Sequence, residues 1–432
     1  MKMANMDDYF DVVIVGTGAA GLYCALNLPA RYRILLLTKQ KADESDSFLA
    51  QGGICMQHSE ADYRPFFDDT MRAGHYENNP ATVDLMIRSS NSIIRDLVRR
   101  GVRFARDDHG ALRFTREGAH SRPRILFHED ITGHEITQTL LNEVLRCENI
   151  ELREYTTLLD FFADASACGG VIAAGPDGEP RAIGAGAVVL ACGGIGGLYK
   201  NSTNFPHITG DAIAMALRHG VACEHLDYIQ IHPTALYSHR KGRRFLISES
   251  VRGEGALLLD KNENRFTNEL QPRDVVSAAI RAQMEKDGTD HVWEDMRPIG
   301  EAAIREHFPN ILERCEEEGY DPIHEPIPVV PAQHYFMGGI TADLSSRTAL
   351  PRLYACGETC CNGVHGRNRL ASNSLLESLV FAQRAADDIL YGEPPVFTGD
   401  KPDLAPYREQ EPLFAAYRQE VLTAIERSKN HE

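Results

Sequence analysis

The sequence predicts an α/β protein in which a Rossmann-like dinucleotide-binding domain is interrupted by an inserted α+β domain. Strand-like and helix-like patterns alternate along residues 1–225, and sequence of the same character returns from residue 336. Between them, residues 226–335 are dominated by charged loops, prolines and isolated helices. We therefore expect the first part of the nucleotide-binding domain at 1–225, a capping or substrate domain at 226–335, the second part at 336–398, and a short tail at 399–432.

The bulk composition is that of an ordinary globular protein. The chain has 432 residues, 43% hydrophobic and 25% charged, so it is long enough for two domains. No apolar run approaches the roughly 20 residues of a membrane span. The first ten residues lack the basic and apolar regions of a signal peptide, which predicts a cytoplasmic protein without a membrane span.

Charge and cysteine content exclude some classes of partner. The net charge of −17 makes the chain a poor nucleic-acid binder, and an anionic substrate would need a local concentration of Arg and His. The ten cysteines lack metal-ligand spacing, so we expect reduced thiols and no metal site. A redox role for Cys356, Cys360 and Cys361 stays open.

The first nucleotide-binding signal is a glycine-rich turn between a strand and a helix. Residues 11–15 are apolar and strand-like, and an apolar helix follows the turn as far as Leu28. This GxGxxG pattern permits a tight turn and close approach of a pyrophosphate. It comprises Gly16, Thr17, Gly18, Ala19, Ala20 and Gly21. The second strand runs into Thr38 and Lys39 without the usual ribose-binding acid, which weakens a simple NAD interpretation.

Two further segments have the small residues that a dinucleotide site needs. The loop 44–53 contains Ser47, Ala50, Gln51, Gly52 and Gly53, whose backbone N–H groups suit phosphates or a flavin ring edge, although a flexible surface loop is the alternative. The strand-like residues 187–190 lead to a double glycine at Gly193. Asp211 opens a later helix, where it is either a capping residue or adjacent to the cofactor.

The segment 354–379 combines a small-residue turn with Glu358, a basic turn at 365–369 and a helix opening at Asn373 and Ser374. A helix N-terminus exposes unpaired N–H groups and a partial positive charge, so the N–H groups at Ser374 and Leu375 could hold the N1/O2 edge of a reduced flavin. Arg369 could then hold a substrate carboxylate beside the ring.

Polar residues near the junction of the two domains could form a substrate site. Convergence of several such donors on a cleft would suit a dicarboxylate. The candidates are His232, Ser248, Arg273, His334 and Arg369. Glu249 and Arg252 lie three residues apart and would share a helical face. Glu117 could accept a hydrogen bond from a ligand ammonium or pair with Arg116 or Arg122 on the surface.

The motifs together resemble those of the succinate dehydrogenase/fumarate reductase flavoprotein family, and they follow the family's order from residue 10 to 390. They are VVIVGTGAAG, SFLAQGG, REGAHS, ACGGIGGLY, TGDAIAMA, IQIHPTAL, SESVRGEGALL, RDVVSAAI, HYFMGGI, YACGE and HGRNRLASNSLLESL. The resemblance implies FAD as cofactor. The family's dehydrogenases attach FAD through a His at the position of Asp46, so here the FAD should be bound non-covalently.

Within the family, the chain is most similar to the aspartate-oxidising members. Glu117 matches their carboxylate that recognises the substrate's amino group. The resemblance implies that Arg273 transfers a proton supplied through Glu249 and Arg252. It also implies that His232, His334 and Arg369 bind carboxylates, with Ser248 where a Thr is common, and that Glu358 contacts the ribityl chain.

The implied reaction is FAD-dependent oxidation of L-aspartate to iminoaspartate, with hydride transfer to flavin N5 and reoxidation by O2 or fumarate. It would be the first step of NAD biosynthesis through quinolinate, with quinolinate synthase as a possible partner. The alternative is a soluble fumarate reductase or succinate-oxidising flavoprotein, against which Glu117 argues because it would repel a dianion. The C-terminal helical domain of typical members is expected to be largely absent.

Overall fold

The computed structural model describes residues 8–240, 242–392, 397 and 399–430. Expectations for residues 1–7 and for most of 393–398 lie outside this range. The strands are β1 (Tyr9–Val15), β2 (Ile34–Leu37), β3 (Ile54–Cys55), β4 (Ile125–Leu126), β5 (Ile150–Arg153), β6 (Thr157–Ala163), β7 (Cys168–Ala174), β8 (Pro180–Leu190), β9 (Cys223–Glu224), β10 (Ile229–Leu236), β11 (Leu257–Leu259), β12 (Val292–Asp295), β13 (Ile327–Phe336), β14 (Gly339–Thr341), β15 (Leu353–Ala355) and β16 (Cys360–Cys361).

The helices connect these strands and cover the sheets. They are α1 (Ala19–Asn27), α2 (Tyr63–Ala73), α3 (Pro80–Arg100), α4 (Thr132–Val144), α5 (Asp211–Arg218), α6 (Glu249–Gly253), α7 (Arg273–Asp287), α8 (Glu301–His307), α9 (Pro309–Glu317), α10 (Asn373–Tyr391) and α11 (Gln410–Lys429).

The largest sheet is doubly wound around β1. Its strand order is β5-β2-β1-β8-β7-β6, with β15 also paired to β8; β1, β2, β5, β8 and β15 run parallel. Successive side chains of a strand point to opposite faces, so Val12 and Ile14 enter one core while Val13 and Val15 enter the other. Both faces are covered by helices, which explains why these strands are continuously apolar.

A second, four-stranded antiparallel sheet is formed by strands between Ile229 and Phe336, in the order β10-β13-β12-β11. It has its own apolar core with α6, α7, α8 and α9. Strand β10 runs through His232 and Pro233 to Leu236. The proline is accommodated because the register shifts between His232 and Ala235, as at a bulge.

The α-helix of the C-terminal tail is α11, which covers Gln410–Lys429. Tyr417, Val421 and Ile425 are buried in the core on the α5 side of the main sheet. Among the described residues, no helix is long and apolar enough to cross a membrane.

Candidate active site

A large cavity opens where the carboxyl ends of β1, β8 and β15 meet, the position at which open α/β sheets bind ligands. Its volume is about 1710 Å³, including the part open to solvent. Both predicted groups of residues line it. The cofactor group contributes Gly16, Gly18, Ala20, Thr38, Lys39, Ser47, Ala50, Gln51, Gly52, Gly53, Gly193, Asp211, Glu358, Ser374 and Leu375. The substrate group contributes Glu117, His232, Ser248, Glu249, Arg273, His334 and Arg369.

Four predicted site residues do not line the cavity: Ala19, Gly21, Arg252 and Asn373. The backbone N–H of Ala19 instead donates to Ser47 Oγ at 3.0 Å. The Asn373 amide is buried and donates to Thr70 Oγ1 at 3.2 Å. Their direct contact with a ligand is therefore not supported, and their observed contacts fix neighbouring backbone and side chains.

The glycine-rich turn has the shape that a pyrophosphate requires. Gly16 has φ +115°, and a Cβ placed there would lie 2.1 Å from the carbonyl oxygen of Ala191. A Cβ on Gly21 would lie 1.9 Å from the oxygen of Gly16, so that glycine permits close packing of α1 under the turn. At the α1 N-terminus Gly18 offers no side-chain cap and the Ala19 N–H is occupied by Ser47 Oγ, so the next N–H group, at Ala20, is left for a ligand.

The cavity walls also contain buried polar atoms without hydrogen-bond partners, as expected where a polar cofactor binds. Among the described residues these include Ser45 Oγ, Asp46 Oδ2, Gln51 Oε1 and His232 Nε2, all from residues that line the cavity. Together with the glycine turn, this donor and acceptor set fits FAD.

Lys39 and Asp211 form an ion pair in the cavity wall. The ammonium nitrogen lies 2.6 Å from Asp211 Oδ2, and Thr209 Oγ1 donates to the other oxygen at 2.7 Å. The N-cap of α5 is Gly210 and Asp211 lies in the first turn, where its charge suits the helix dipole; Asp211 also lines the cavity, as the alternative next to the cofactor expects. Asp211, at the start of α5, thus supplies an acidic group beside the end of β2, where the sequence of β2 itself has no acidic residue.

Asp46 is a cavity residue whose charge state the sequence did not reveal. One carboxyl oxygen accepts from the Phe205 N–H at 2.9 Å, and the other has no partner. Burial raises the pKa of Asp46 to about 7. Burial, followed by the charge of Asp46, also holds the pKa of Glu358 well above its usual range. The sequence signal for Asp46 was its position immediately before Ser47.

Gln230 joins the two arginines of the candidate substrate site. Its amide oxygen accepts from Arg273 Nη1 at 2.8 Å and from Arg369 Nε at 3.3 Å. Its amide nitrogen donates to Asn368 Oδ1 and the Arg369 carbonyl, which fixes the amide orientation. Sequence reasoning missed this residue, although it lies in the IQIHPTAL motif two positions before His232.

The two predicted histidines pack edge to face, with ring centroids 5.1 Å apart. Burial, and then the charge of Arg273, lowers the pKa of both well below the usual range. Nδ1 of His334 lies 2.7 Å from Thr203 Oγ1, and Nδ1 of His232 lies 3.2 Å from the Thr234 N–H. Both rings are therefore neutral, and the Nε2 atom of His232 has no protein partner.

Glu117 is buried, with 3% of its surface exposed. Its oxygens accept from Ser250 Oγ at 2.9 Å and from Ser372 Oγ at 2.7 Å. The alternative of a surface pair with Arg116 or Arg122 is therefore wrong. Burial, and then the negative charge of Glu249, raises the pKa of Glu117 above its ordinary value.

Arg273, Glu249 and Arg252 form a buried series of alternating charges. Arg273 Nε donates to Glu249 Oε2, and Arg252 Nη2 lies 4.0 Å from the same oxygen. Burial alone would raise the pKa of Glu249, but the charges of Arg273 and Arg252 hold it below its ordinary value. Arg369 has its pKa lowered to about 10 by burial and then by Arg273, which indicates crowding of the two guanidinium groups.

All ten cysteines are free thiols, and Cys356 lines the cavity. Burial raises the pKa of Cys356 and Cys360 well above the usual range and that of Cys361 to about 12. Thiols held in this way are poor nucleophiles, so the geometry favours a packing function over a redox one.

Comparison with known proteins places the chain in a family. It matches the FAD binding domain family over residues 11–375. It is 48% identical to an L-aspartate oxidase of Clostridium perfringens, over 88% of this chain and 86% of that protein. It is 44% identical to an L-aspartate oxidase of Nostoc, over 98% of this chain and 76% of that protein.

A solved structure shows the same fold. An E. coli quinol fumarate reductase variant is 30% identical, with a TM-score of 0.82, over 95% of this chain and 74% of that one. Fold, cavity and sequence similarity agree. The chain belongs to the L-aspartate oxidase family, a group of FAD-binding proteins within the succinate dehydrogenase/fumarate reductase flavoproteins.

Proposed function

We propose that this protein oxidises L-aspartate to iminoaspartate in an FAD-dependent reaction. The observation that carries the proposal is Glu117, a buried carboxylate in the wall of a cavity that also contains Arg273, Arg369 and two histidines. A substrate with two carboxylates and one ammonium matches this arrangement of charges. The relatives named L-aspartate oxidase support the same reaction.

Three side chains are assigned to the substrate carboxylates: Arg369, His334 and His232. A guanidinium grips a carboxylate with two parallel hydrogen bonds, and a neutral imidazole donates one from the nitrogen that carries its proton. Ser248, also in the cavity wall, is assigned a further hydrogen bond to a carboxylate. The ammonium is assigned to Glu117, which would favour an amino dicarboxylate over a plain one.

Bound FAD supplies the acceptor for the hydride that leaves the substrate. The glycine turn at Gly16 and Gly18 would hold its pyrophosphate, and the N-terminus of α10 at Ser374 and Leu375 would face the flavin's pyrimidine edge. Asp46, which stands where covalent members have a His, presents no nucleophilic nitrogen, so we assign non-covalent binding.

Proton transfer is assigned to Arg273, with Glu249 and Arg252 as its relay. The hydrogen bond from Arg273 Nε to Glu249, and the ion pair of Arg252 with the same carboxylate at 4.0 Å, support this assignment. In the reverse direction the same guanidinium could protonate fumarate, a close isostere of the product. Fumarate reduction is therefore the second candidate activity, and the likeness to a quinol fumarate reductase favours it.

The proposal extends to the organisation and setting of the enzyme. We assign residues 1–225 and 336–398 to FAD binding, 226–335 to a cap over the substrate, and 399–432 to a tail. We place the protein in the cytoplasm, where its ten free thiols would stay reduced. Either O2 or fumarate would accept the electrons, and quinolinate synthase would consume iminoaspartate on the route to NAD.

The decisive experiment is anaerobic bleaching of the flavin absorbance in the purified holoenzyme. We expect L-aspartate to bleach the flavin and succinate to leave it oxidised. Bleaching by succinate with no response to aspartate would contradict the proposal and assign the protein to succinate oxidation or fumarate reduction.

A further inference from the structure

A hydrogen-bonded series of hydroxyl groups surrounds the carboxylate of Glu117. Ser250 Oγ donates to one oxygen at 2.9 Å, and Ser372 Oγ donates to the other at 2.7 Å. Ser248 Oγ in turn donates to Ser250 Oγ at 3.2 Å. Both oxygens of Glu117 thus have a neutral donor, and the series continues to a residue assigned to the substrate carboxylate.

The two donors come from different parts of the fold. Ser250 belongs to α6, in the 226–335 region, and Ser372 immediately precedes α10 in the nucleotide-binding fold. They are separated from Glu117 by 133 and 255 residues along the chain. The carboxylate therefore has its position fixed by two parts of the structure at once.

Hydroxyl partners have an electrostatic consequence that a cationic partner would not have. A serine can donate a hydrogen bond to a carboxylate without cancelling its charge, whereas an arginine partner would neutralise it. In its ionised form Glu117 thereby keeps a net negative charge that can attract a cationic group of the substrate. The hydroxyls also stabilise the ionised form against the effect of burial.

We infer that Ser250 and Ser372 are specificity-determining positioning residues, which hold Glu117 ionised and correctly oriented for the ammonium group of an amino dicarboxylate. The inference rests on the proposed function and deepens it, since it names the groups that prepare the site for an amine. Neither serine needs to touch the substrate, because both act through Glu117.

The variants that test this are Ser250→Ala, Ser372→Gly and the double change. Glycine is chosen at residue 372 because the backbone there has φ +61°, which an alanine would adopt only with strain. Ser346→Gly is a matched control. Ser346 is also buried with φ +61°, and its hydroxyl donates to the Phe381 carbonyl instead of a cavity residue.

The holoenzymes are compared in L-aspartate oxidation and in fumarate reduction, which use the same flavin, arginines and histidines. For each single variant we expect kcat/KM for aspartate to fall about 10-fold, mainly through KM, and more in the double variant. Fumarate reduction should stay within about twofold of the wild type, because fumarate has no ammonium. The control should be unchanged in both reactions.

Two readouts separate this positioning function from a merely structural one. Glu117 faces Glu249 on α6, Arg273 on α7 and Cys55 on β3, besides the two serines. Loss of the hydroxyls should raise the pKa of Glu117 further. In the pH profile of kcat/KM, the decrease at low pH should therefore begin at a higher pH for aspartate oxidation and stay where it is for fumarate reduction. With the flavin reduced beforehand, thermal stabilisation by aspartate should weaken, while that by succinate should not.

The outcomes distinguish the inference from the proposal beneath it. Equal losses for aspartate and fumarate, or no loss for either, would overturn the assignment of the serines while leaving the enzyme an aspartate oxidase. A wild-type holoenzyme that does not oxidise aspartate would overturn the proposed function and the inference with it.

Discussion

At the scale of single residues, the cavity brings two guanidinium groups and two neutral histidines together with the carboxylate of Glu117. Cations attract the carboxylates of any dicarboxylate, so they do not distinguish aspartate from succinate or fumarate. Glu117, whose partners are hydroxyl groups instead of a cation, is the group that can distinguish aspartate from these two.

We therefore expect Glu117→Gln to reduce kcat/KM for L-aspartate by about 100-fold, since an amide lacks the charge that an ammonium requires. Fumarate reduction should change little, or improve, because a negative charge near a dianion is removed. Steady-state kinetics of both reactions test this. Similar losses in the two reactions would show that Glu117 does not bind the amino group.

The residue scale also shows what sequence reasoning could reach. His232, Arg273 and Arg369, which the sequence motifs indicated, are buried and line the cavity, and their functions stay predictions. Gln230 was missed because an amide inside a buried strand has no distinctive pattern. Its importance comes from two arginines, 43 and 139 residues away, that donate to the same oxygen.

At the scale of elements, the turn between β1 and α1 is constrained by contact with the loop after β8. Backbone conformation and close approach both require a glycine at Gly16. This requirement follows from the sheet, because β8 pairs beside β1 and places Ala191 against the turn.

Gly16→Ala should consequently weaken FAD binding strongly, since a Cβ would collide with the Ala191 carbonyl. We expect protein purified with little flavin, measured as the ratio of absorbance at 450 and 280 nm. Gly178→Ala is a suitable control, because Gly178 also has positive φ but nothing lies near its added Cβ. Equal flavin content in both variants would contradict the assigned function of the turn.

Strand β12 contains an unusual buried acid. Glu294 has no exposed surface, and neither of its carboxyl oxygens has a hydrogen-bond partner. Burial raises its pKa to about 8. The folded protein therefore keeps this proton where the unfolded chain has lost it, so stability decreases as pH rises from the ordinary Glu pKa towards 8.

Glu294→Leu should raise the free energy of unfolding at pH 8, by on the order of 3 kcal/mol, with a smaller gain at pH 5. Thermal and denaturant unfolding across this range measure the effect. Glu316→Leu, at an exposed position on α9, is the control and should show no comparable dependence on pH. A gain that does not vary with pH would mean that the carboxyl titrates normally.

At the scale of the whole molecule, a net charge of −17 surrounds a site proposed for anionic substrates. The long-range field opposes the approach of aspartate and fumarate, while the buried cations act only at short range. The two effects differ in their response to salt, because exposed charges are screened and buried ones much less.

We expect kcat/KM to rise as ionic strength increases from about 0.01 M to about 0.15 M, which shortens the screening length from about 30 Å to about 8 Å. The rise should be larger for fumarate, with two net charges, than for aspartate with one. The salt should have an anion that does not compete for the cavity. Falling kcat/KM for both substrates would mean that the local cations dominate the approach.

The sequence by itself determined the α/β class of this protein, its glycine turn, its FAD-binding family and most of the residues that line the cavity. These depend on local patterns, because strand periodicity, glycine spacing and helix starts are set by neighbouring residues. The alternation of β1 between two cores is one such pattern.

Only the tertiary structure decided which polar groups meet. The choice between a surface and a site position for Glu117, the pairing of Lys39 with Asp211, and the Gln230 bridge all depend on residues tens to hundreds of positions apart. The charge state of buried carboxyl groups also depends on the tertiary structure. Whether a carboxyl such as Asp46 or Glu294 keeps its proton depends on how completely the fold removes it from water, and that property belongs to the packed molecule.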